Sequence, residues 1–359
     1  MKDVLGIKGW GIGLLSFLLL FGCARFERTQ YDELALAAES EAEENAAGEY
    51  TEYTIEEQLE EIIYTRTAEP RFVIIPPSAR PGEPVTVGFS YNFDGCNRQF
   101  QAALLDSRGR RIARAQFFHT SWRAGEQEVR AAVLAVPSTA LIGNAFIRIQ
   151  SDDDIMHEMP FTIYHREFYS ERIALDQRNT TLRTAPDPQR TLESQQLWAI
   201  LNRTGREILH FGPFERPVTS TRRTSIYGSR RVFVYVDGST DTAIHAGVDY
   251  GVPTGTEVRA SGAGRVVLAR NRILTGNSVI LEHLPGLYSI YYHLDSIDVS
   301  EGSIVDMGTL LGKSGATGLA TGPHLHWEVR VSGENADPDA FLSRPILDKN
   351  EIIDRLTAY

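Results

Sequence analysis

Cysteine is nearly absent from this chain: of 359 residues only two, Cys23 and Cys96, carry a thiol. A disulfide framework therefore does not organise the fold. Cys96, within Asp94-Gly95-Cys96-Asn97, reads as an isolated thiol. Positive charge is missing from one long stretch. Between Tyr31 and Glu61 there are twelve Asp or Glu residues and no Lys or Arg. This segment carries the acidity behind the formal net charge of -11, and the remainder is close to neutral. No basic stripe interleaved with aromatics is present, which argues against a nucleic-acid partner. Long apolar runs are lacking as well. The one clear run, Trp10 to Phe21, is too short to span a bilayer comfortably.

That run has another use. Lys2 and Lys8 precede it, as in an export signal. It ends in Leu20-Phe21-Gly22-Cys23, which resembles the bacterial lipoprotein box, where the cysteine becomes diacylated and N-terminal after cleavage. Residues 1–22 are thus read as a signal peptide and Cys23 as the lipidation site. The expected location is the cell envelope, on a membrane, facing the periplasm or the cell exterior.

Residues 23–66 are rich in Glu and Ala and cannot bury enough apolar surface to offset their ordering entropy, so they read as a solvated tether. Residues 67–170 read as a β-sandwich. Val85, Val87 and Phe89 alternate with Thr86, Gly88 and Ser90, the period-two pattern of a half-buried strand. Further short runs follow, with a hairpin turn at Asp106-Ser107-Arg108-Gly109. The pattern resembles immunoglobulin-like accessory domains. His119, His157 and His165 lack metal-like spacing and read as ordinary histidines. Residues 171–217 form a connector with a short helix, signalled by an Asp187 N-cap before Pro188, with Leu197, Trp198 and Leu201 on its apolar face. From 218 to 345 glycine-punctuated strands return, predicting a mostly β, antiparallel second domain. Residues 346–359 read as a tail.

Five of the nine histidines fall between His245 and His326. His245-Ala246-Gly247-Val248-Asp249 is loop entering strand, because its glycine and the following Tyr250-Gly251-Val252-Pro253 oppose a helix. In His324-Leu325-His326-Trp327-Glu328 a strand aims both imidazoles at one space, while Leu325 and Trp327 face a packed side. Tyr291-Tyr292-His293-Leu294 adds one more histidine. Imidazoles with a carboxylate are the ligands catalytic zinc prefers, and three of them leave a fourth position for water. The helical His-Glu-x-x-His motif of other zinc peptidases is absent.

From about Val218 to Phe341 the sequence resembles the lysostaphin-type, or LytM-like, zinc endopeptidases. The shared features include Thr224–Arg230, His245–Asp249, Tyr291–Leu294, Gly308–Gly312, Gly315–Gly318 and Gly322–Glu328. The resemblance implies one zinc per chain held by His245, Asp249 and His326, with His293 and His324 as catalytic histidines. It also implies peptidoglycan as the partner, cut in its peptide cross-links. His324 is the expected base, with His293 orienting the water or bonding the oxyanion. His283 reads as structural or supporting. Family members without metal ligands activate cell-wall amidases instead, and this is the alternative. Gly308–Ser314 mimics a phosphate loop but has three residues between its glycines where four are needed. The loops 268–277 and 315–323 are expected to wall the groove. The sandwich and the connector, including His210 and Asn202, lie where they could fill it.

Overall fold

The computed structural model describes residues 70–91, 98–151, 154–203, 205 and 207–358. The predicted signal peptide, Cys23, the acidic tether and Cys96 lie outside them. The chain is mostly β. Nine strands come first: β1 (Arg71–Ile75), β2 (Ser78–Ala79), β3 (Pro84–Tyr91), β4 (Phe100–Leu105), β5 (Arg111–Gln116), β6 (Phe118–Ala124), β7 (Gln127–Ala135), β8 (Gly143–Ser151) and β9 (Asp154–Ile163). They make two facing sheets, ordered β1-β3-β7-β6 and β2-β9-β8-β4-β5. Val85, Val87, Phe89, Leu104, Ile147 and Ile149 fill the space between them.

The predicted half-burial of β3 does not hold: Val85 through Ser90 are all buried. The outer face of the four-stranded sheet is covered in its turn. Its Val73, Ala131 and Val133 share one apolar cluster with Leu284, Val331 and Ile352 of the C-terminal part. Ile352 belongs to a helix within the segment read as a tail, α3 (Lys349–Thr357). Gly88 makes room for that helix, since a Cβ there would lie 2.6 Å from Val73 Cγ1 and 3.1 Å from Ile352 Cγ2.

The connector contains β10 (Ser170–Ala174), α1 (Gln177–Thr184) and α2 (Pro188–Leu201). Asp187 caps α2 as its sequence suggests, accepting from Gln189 N with Pro188 in the first turn. Leu201 is buried and Leu197 packs beside it, whereas Trp198 is half exposed and lies off that face.

The C-terminal part consists of β11 (Arg223–Ser225), β12 (Arg230–Val234), β13 (Thr240–Ile244), β14 (Gly247–Tyr250), β15 (Glu257–Arg259), β16 (Gly264–Arg272), β17 (Gly276–Leu284), β18 (Leu287–Ile297), β19 (Ile304–Val305), β20 (Leu310–Ser314), β21 (Leu325–Val331) and β22 (Glu334–Ala336). A large antiparallel sheet runs β11-β14-β21-β18-β17-β16-β19, with β15, β20 and β22 attached. A small sheet, β10-β12-β13, stands beside it. One face of the large sheet buries Val248, Tyr291, Leu325, Trp327 and Val329. The other face carries the histidines. No helix among the described residues is long and apolar enough to cross a membrane.

Candidate metal centre

Register places the central residues side by side. Asp249 on β14 faces His326 on β21, and His326 faces Tyr292 on β18. Residues directly opposite in neighbouring antiparallel strands have Cβ atoms about 5 Å apart. Gly247 permits the tight β14–β21 approach, since a Cβ there would lie 2.2 Å from the Trp327 carbonyl oxygen. His245 enters from the loop before β14, pinned by Ser229 O, which accepts its backbone N–H, and by Gly228 N, which donates to its carbonyl.

Three atoms converge: His245 Nε2, Asp249 Oδ1 and His326 Nδ1. Their separations are 3.1 Å between the two nitrogens, and 3.2 and 2.8 Å from each to the carboxylate oxygen. Ligands bonded to zinc at 2.0–2.1 Å with tetrahedral angles would lie about 3.3 Å apart, so the set fits that ion.

The outward ring nitrogens support the fit. His245 Nδ1–H donates to Ile226 O at 2.8 Å and also lies 3.0 Å from Ser225 Oγ. His326 Nε2–H donates to Glu328 Oε2 at 3.3 Å. Each ring thus keeps its proton on the far side and turns a lone pair inward, as oriented metal-ligand histidines do. Asp249 Oδ2 accepts from Arg231 Nη2 at 2.5 Å, leaving Oδ1 for the centre.

The electrostatics show what the cluster demands. Burial opposes charge on Asp249, but hydrogen bonds from His245 and His326 outweigh it and hold the carboxyl well below its usual range. Burial likewise opposes a proton on His326, yet Asp249 and Glu328 on either side raise it to about 9. Burial lowers His245. The pocket is built for a cation shared among these groups.

His293 reaches the same space by an unusual backbone. A bulge lies in β18 where Tyr291 pairs with Val279 but Leu294 pairs with Asn277. His293 sits in it with φ of +63°. Simple alternation would turn His293 toward the core beside Tyr291. The bulge returns it to the cleft, and such irregularities re-aim side chains. Its backbone N–H donates to Thr275 O at 2.9 Å and its Nδ1–H to Thr317 O at 2.8 Å. Burial, reinforced by His324 and His326, pushes it down to about 3, so the ring is neutral with Nε2 unprotonated. His324 Nδ1–H donates to Gly322 O at 2.8 Å, and its Nε2 lies 3.8 Å from Asp249 Oδ1. The His293 and His324 rings are 4.8 Å apart.

All five sequence-predicted residues therefore line one cleft of about 500 Å³. Leu274, Thr275 and residues 319–323 form its loop walls, in the two loops expected there. The connector does reach the groove, as a third wall made by Glu171, Ile173 and Leu175 with Arg183 and Phe233. His210 and Asn202 stay outside. His210 Nε2 bonds Pro213 O and Asn202 donates back to Trp198 O. His283 is fully buried between Ala263 O and Ser289 Oγ, a structural histidine. The supporting residues Glu328, Arg231 and Ser225 were not singled out from sequence. Ser225 and Glu328 lay within shared motifs, and Glu328 lies two residues beyond His326 on one strand face, whereas Arg231 had no signal.

Residues 243–338 match the sequence profile described as Peptidase family M23. Among curated proteins, "DD-carboxypeptidase/endopeptidase Mpg" of Neisseria meningitidis is 34% identical over 135 residues, 37% of this chain and 30% of that protein. "Peptidoglycan DD-endopeptidase ShyA" of Vibrio cholerae is 45% identical over 91 residues, 25% of this chain and 21% of that protein. The chain thus spans less than a third of the length of either relative. Among solved structures, a candidate M23 peptidase from Pseudomonas aeruginosa covers 75% of this chain and 96% of its own, with TM-score 0.50 and 23% identity. That likeness is one of fold.

Proposed function

We propose that this chain, whose C-terminal part carries a domain of peptidase family M23 (LytM-like), is a cell-envelope zinc metalloendopeptidase that hydrolyses the peptide cross-links of peptidoglycan. The observation that carries this reading is the convergence of His245 Nε2, Asp249 Oδ1 and His326 Nδ1 beside two further neutral-capable imidazoles. A structural zinc site is closed by four protein ligands, and two extra histidines at an open cleft are what hydrolysis requires. The substrate class follows the relatives, which are named for peptidoglycan DD-endopeptidase activity.

In this reading His245, Asp249 and His326 would hold zinc, which would supply a Lewis acid for the scissile carbonyl and lower the pKa of water. His324 is the base: with Nδ1–H committed to Gly322 O, its Nε2 takes a proton from water and later returns it to the leaving amine. His293, with Nδ1–H committed to Thr317 O, offers only an acceptor at Nε2. It therefore orients the water rather than donating to the oxyanion. Glu328 and Ile226 keep the two ligand imidazoles in the tautomer that faces the metal. Cys23 is proposed as the lipid-bearing residue that tethers the enzyme to a membrane.

The test compares the soluble protein from Ala24 onward with its His324→Ala variant. Metal content and release of new peptide ends from purified peptidoglycan are measured. One zinc per chain, with cleavage by the parent and loss in the variant, supports the assignment. Zinc without cleavage in the parent moves the function to the alternative, a silent activator of cell-wall amidases.

A further inference from the structure

We propose that Glu171, on the connector strand β10, is a positioning residue for the metal centre, acting through Arg231 and Ser225 on Asp249 and His245. This rests on the reading of His245, Asp249 and His326 as metal ligands. Glu171 lies far upstream of the family-matched segment 243–338, on the parallel pairing of β10 with β12. That register sets Glu171 directly opposite Arg231.

One carboxylate oxygen joins both branches. Glu171 Oε1 accepts from Arg231 Nε at 2.7 Å and from Ser225 Oγ at 2.7 Å. Arg231 Nη2 then donates to Asp249 Oδ2 at 2.5 Å. Ser225 Oγ lies 3.0 Å from His245 Nδ1, on the side of the ring away from the metal position. The Nε and Nη2 donors share one edge of a planar guanidinium, so fixing one fixes the direction of the other. Without Glu171, Arg231 keeps Asp249 as its single anchor, and the direction of its Nη2 donor to Oδ2 is less fixed. Ser225 also loses the acceptor that turns its hydroxyl away from His245.

The side chains of Arg231 and Glu171 are 18% and 29% exposed. The pair is less than a third exposed, so its loss can also cost stability, and the metal-free melting temperature is therefore read beside the metal affinity. Five backbone pairs hold β10 on β12 whatever occupies position 171. The two effects are therefore separable. A residue that only glued the strand would act on the melting temperature, and a positioning residue acts on the metal. The connector thereby becomes a working part of the peptidase unit.

The experiment uses the chain from Ala24 onward with Glu171→Ala, Glu171→Gln and Arg231→Ala, and the double variant Glu171→Ala/Arg231→Ala. Zinc affinity is measured by competition with a chromogenic chelator, beside the melting temperature of the metal-free protein and peptidoglycan cleavage at saturating zinc. Zinc affinity is expected to fall about 10–100-fold in Glu171→Ala and less in Glu171→Gln, which keeps an acceptor oxygen. Any fall in the metal-free melting temperature is read beside it. Adding Glu171→Ala to Arg231→Ala should cost little more, because most of the effect runs through Arg231. Zinc affinity within twofold of the parent in both Glu171 variants would overturn the proposal, as would full additivity with Arg231→Ala. A parent that binds zinc but cuts nothing refutes the peptidase reading while the affinity series still decides the role of Glu171. A parent that binds no zinc removes the ligand assignment and this proposal with it.

Discussion

His245 Nε2 and His326 Nδ1 stand 3.1 Å apart with their lone pairs facing, and Asp249 Oδ1 completes the triangle. Three acceptors cannot rest so close without a proton or a cation among them. Asp249 and Glu328 favour a proton on His326, and a bound zinc would take that proton's place.

This exchange has a pH signature. The folded value of His326, about 9, exceeds its ordinary 6.5. Its contribution to stability is complete below pH 6.5 and is lost as pH rises through about 9. For the metal-free protein the loss should be about 3 kcal/mol, by urea denaturation at the two ends of that window. Saturating zinc should flatten the dependence, because the metal binds the deprotonated ring.

The opposite sign holds for His283. Burial pushes it down to about 3, whereas the unfolded chain protonates it near 6.5. The unfolded state therefore binds more protons between these values, and stability falls as pH drops. At pH 4.5 the protein should be about 2 kcal/mol less stable than at pH 6.5 from this group alone. A His283→Asn variant, compared with the parent across that range, should show the shallower slope.

His324→Ala and His293→Ala should retain zinc and lose about 10²–10⁴-fold in kcat, the range for a removed acid–base group. His245→Ala, Asp249→Ala and His326→Ala should lose the metal itself. Metal analysis of the dialysed proteins beside peptide release from peptidoglycan separates the two classes.

Gly247→Ala tests the packing behind the site. The new methyl would meet the Trp327 carbonyl, a backbone atom with no freedom to yield, in the strand pair that aligns Asp249 with His326. A stability loss of about 1–3 kcal/mol is expected. Zinc affinity should fall with it, measured by urea denaturation and chelator competition.

Removing residues before 170 should not free an independent peptidase. The sandwich buries Val73, Ala131 and Val133 in the same cluster as Leu284, Val331 and Ile352. A chain beginning at Ser170 should show low soluble yield and a depressed melting temperature. Cutting at residue 215 removes β10 and Glu171 as well, so activity should fall, whereas a groove filled by the sandwich and connector would make it rise.

The His-x-His spacing, the His245–Asp249 motif and the β texture were legible in the sequence, because strand alternation is a local property. Leu325 and Trp327 went to the core and His324 and His326 to the cleft on that rule alone. The same rule fails at His293. Its place depends on a bulge with positive φ, held by Thr275 and Thr317, and those contacts come from distant loops. The full burial of β3 had the same origin: whether its second face meets water depends on α3, far away in the chain. Glu171 and Arg231 carry no spacing signal, since only the parallel pairing of β10 with β12 sets them opposite one another. Local motifs, and the resemblance they carry, thus pointed to the residues that could serve the centre, and periodicity aimed all but His293. The tertiary structure decided which side chains hold them in place, because those partners meet only when separate strands assemble.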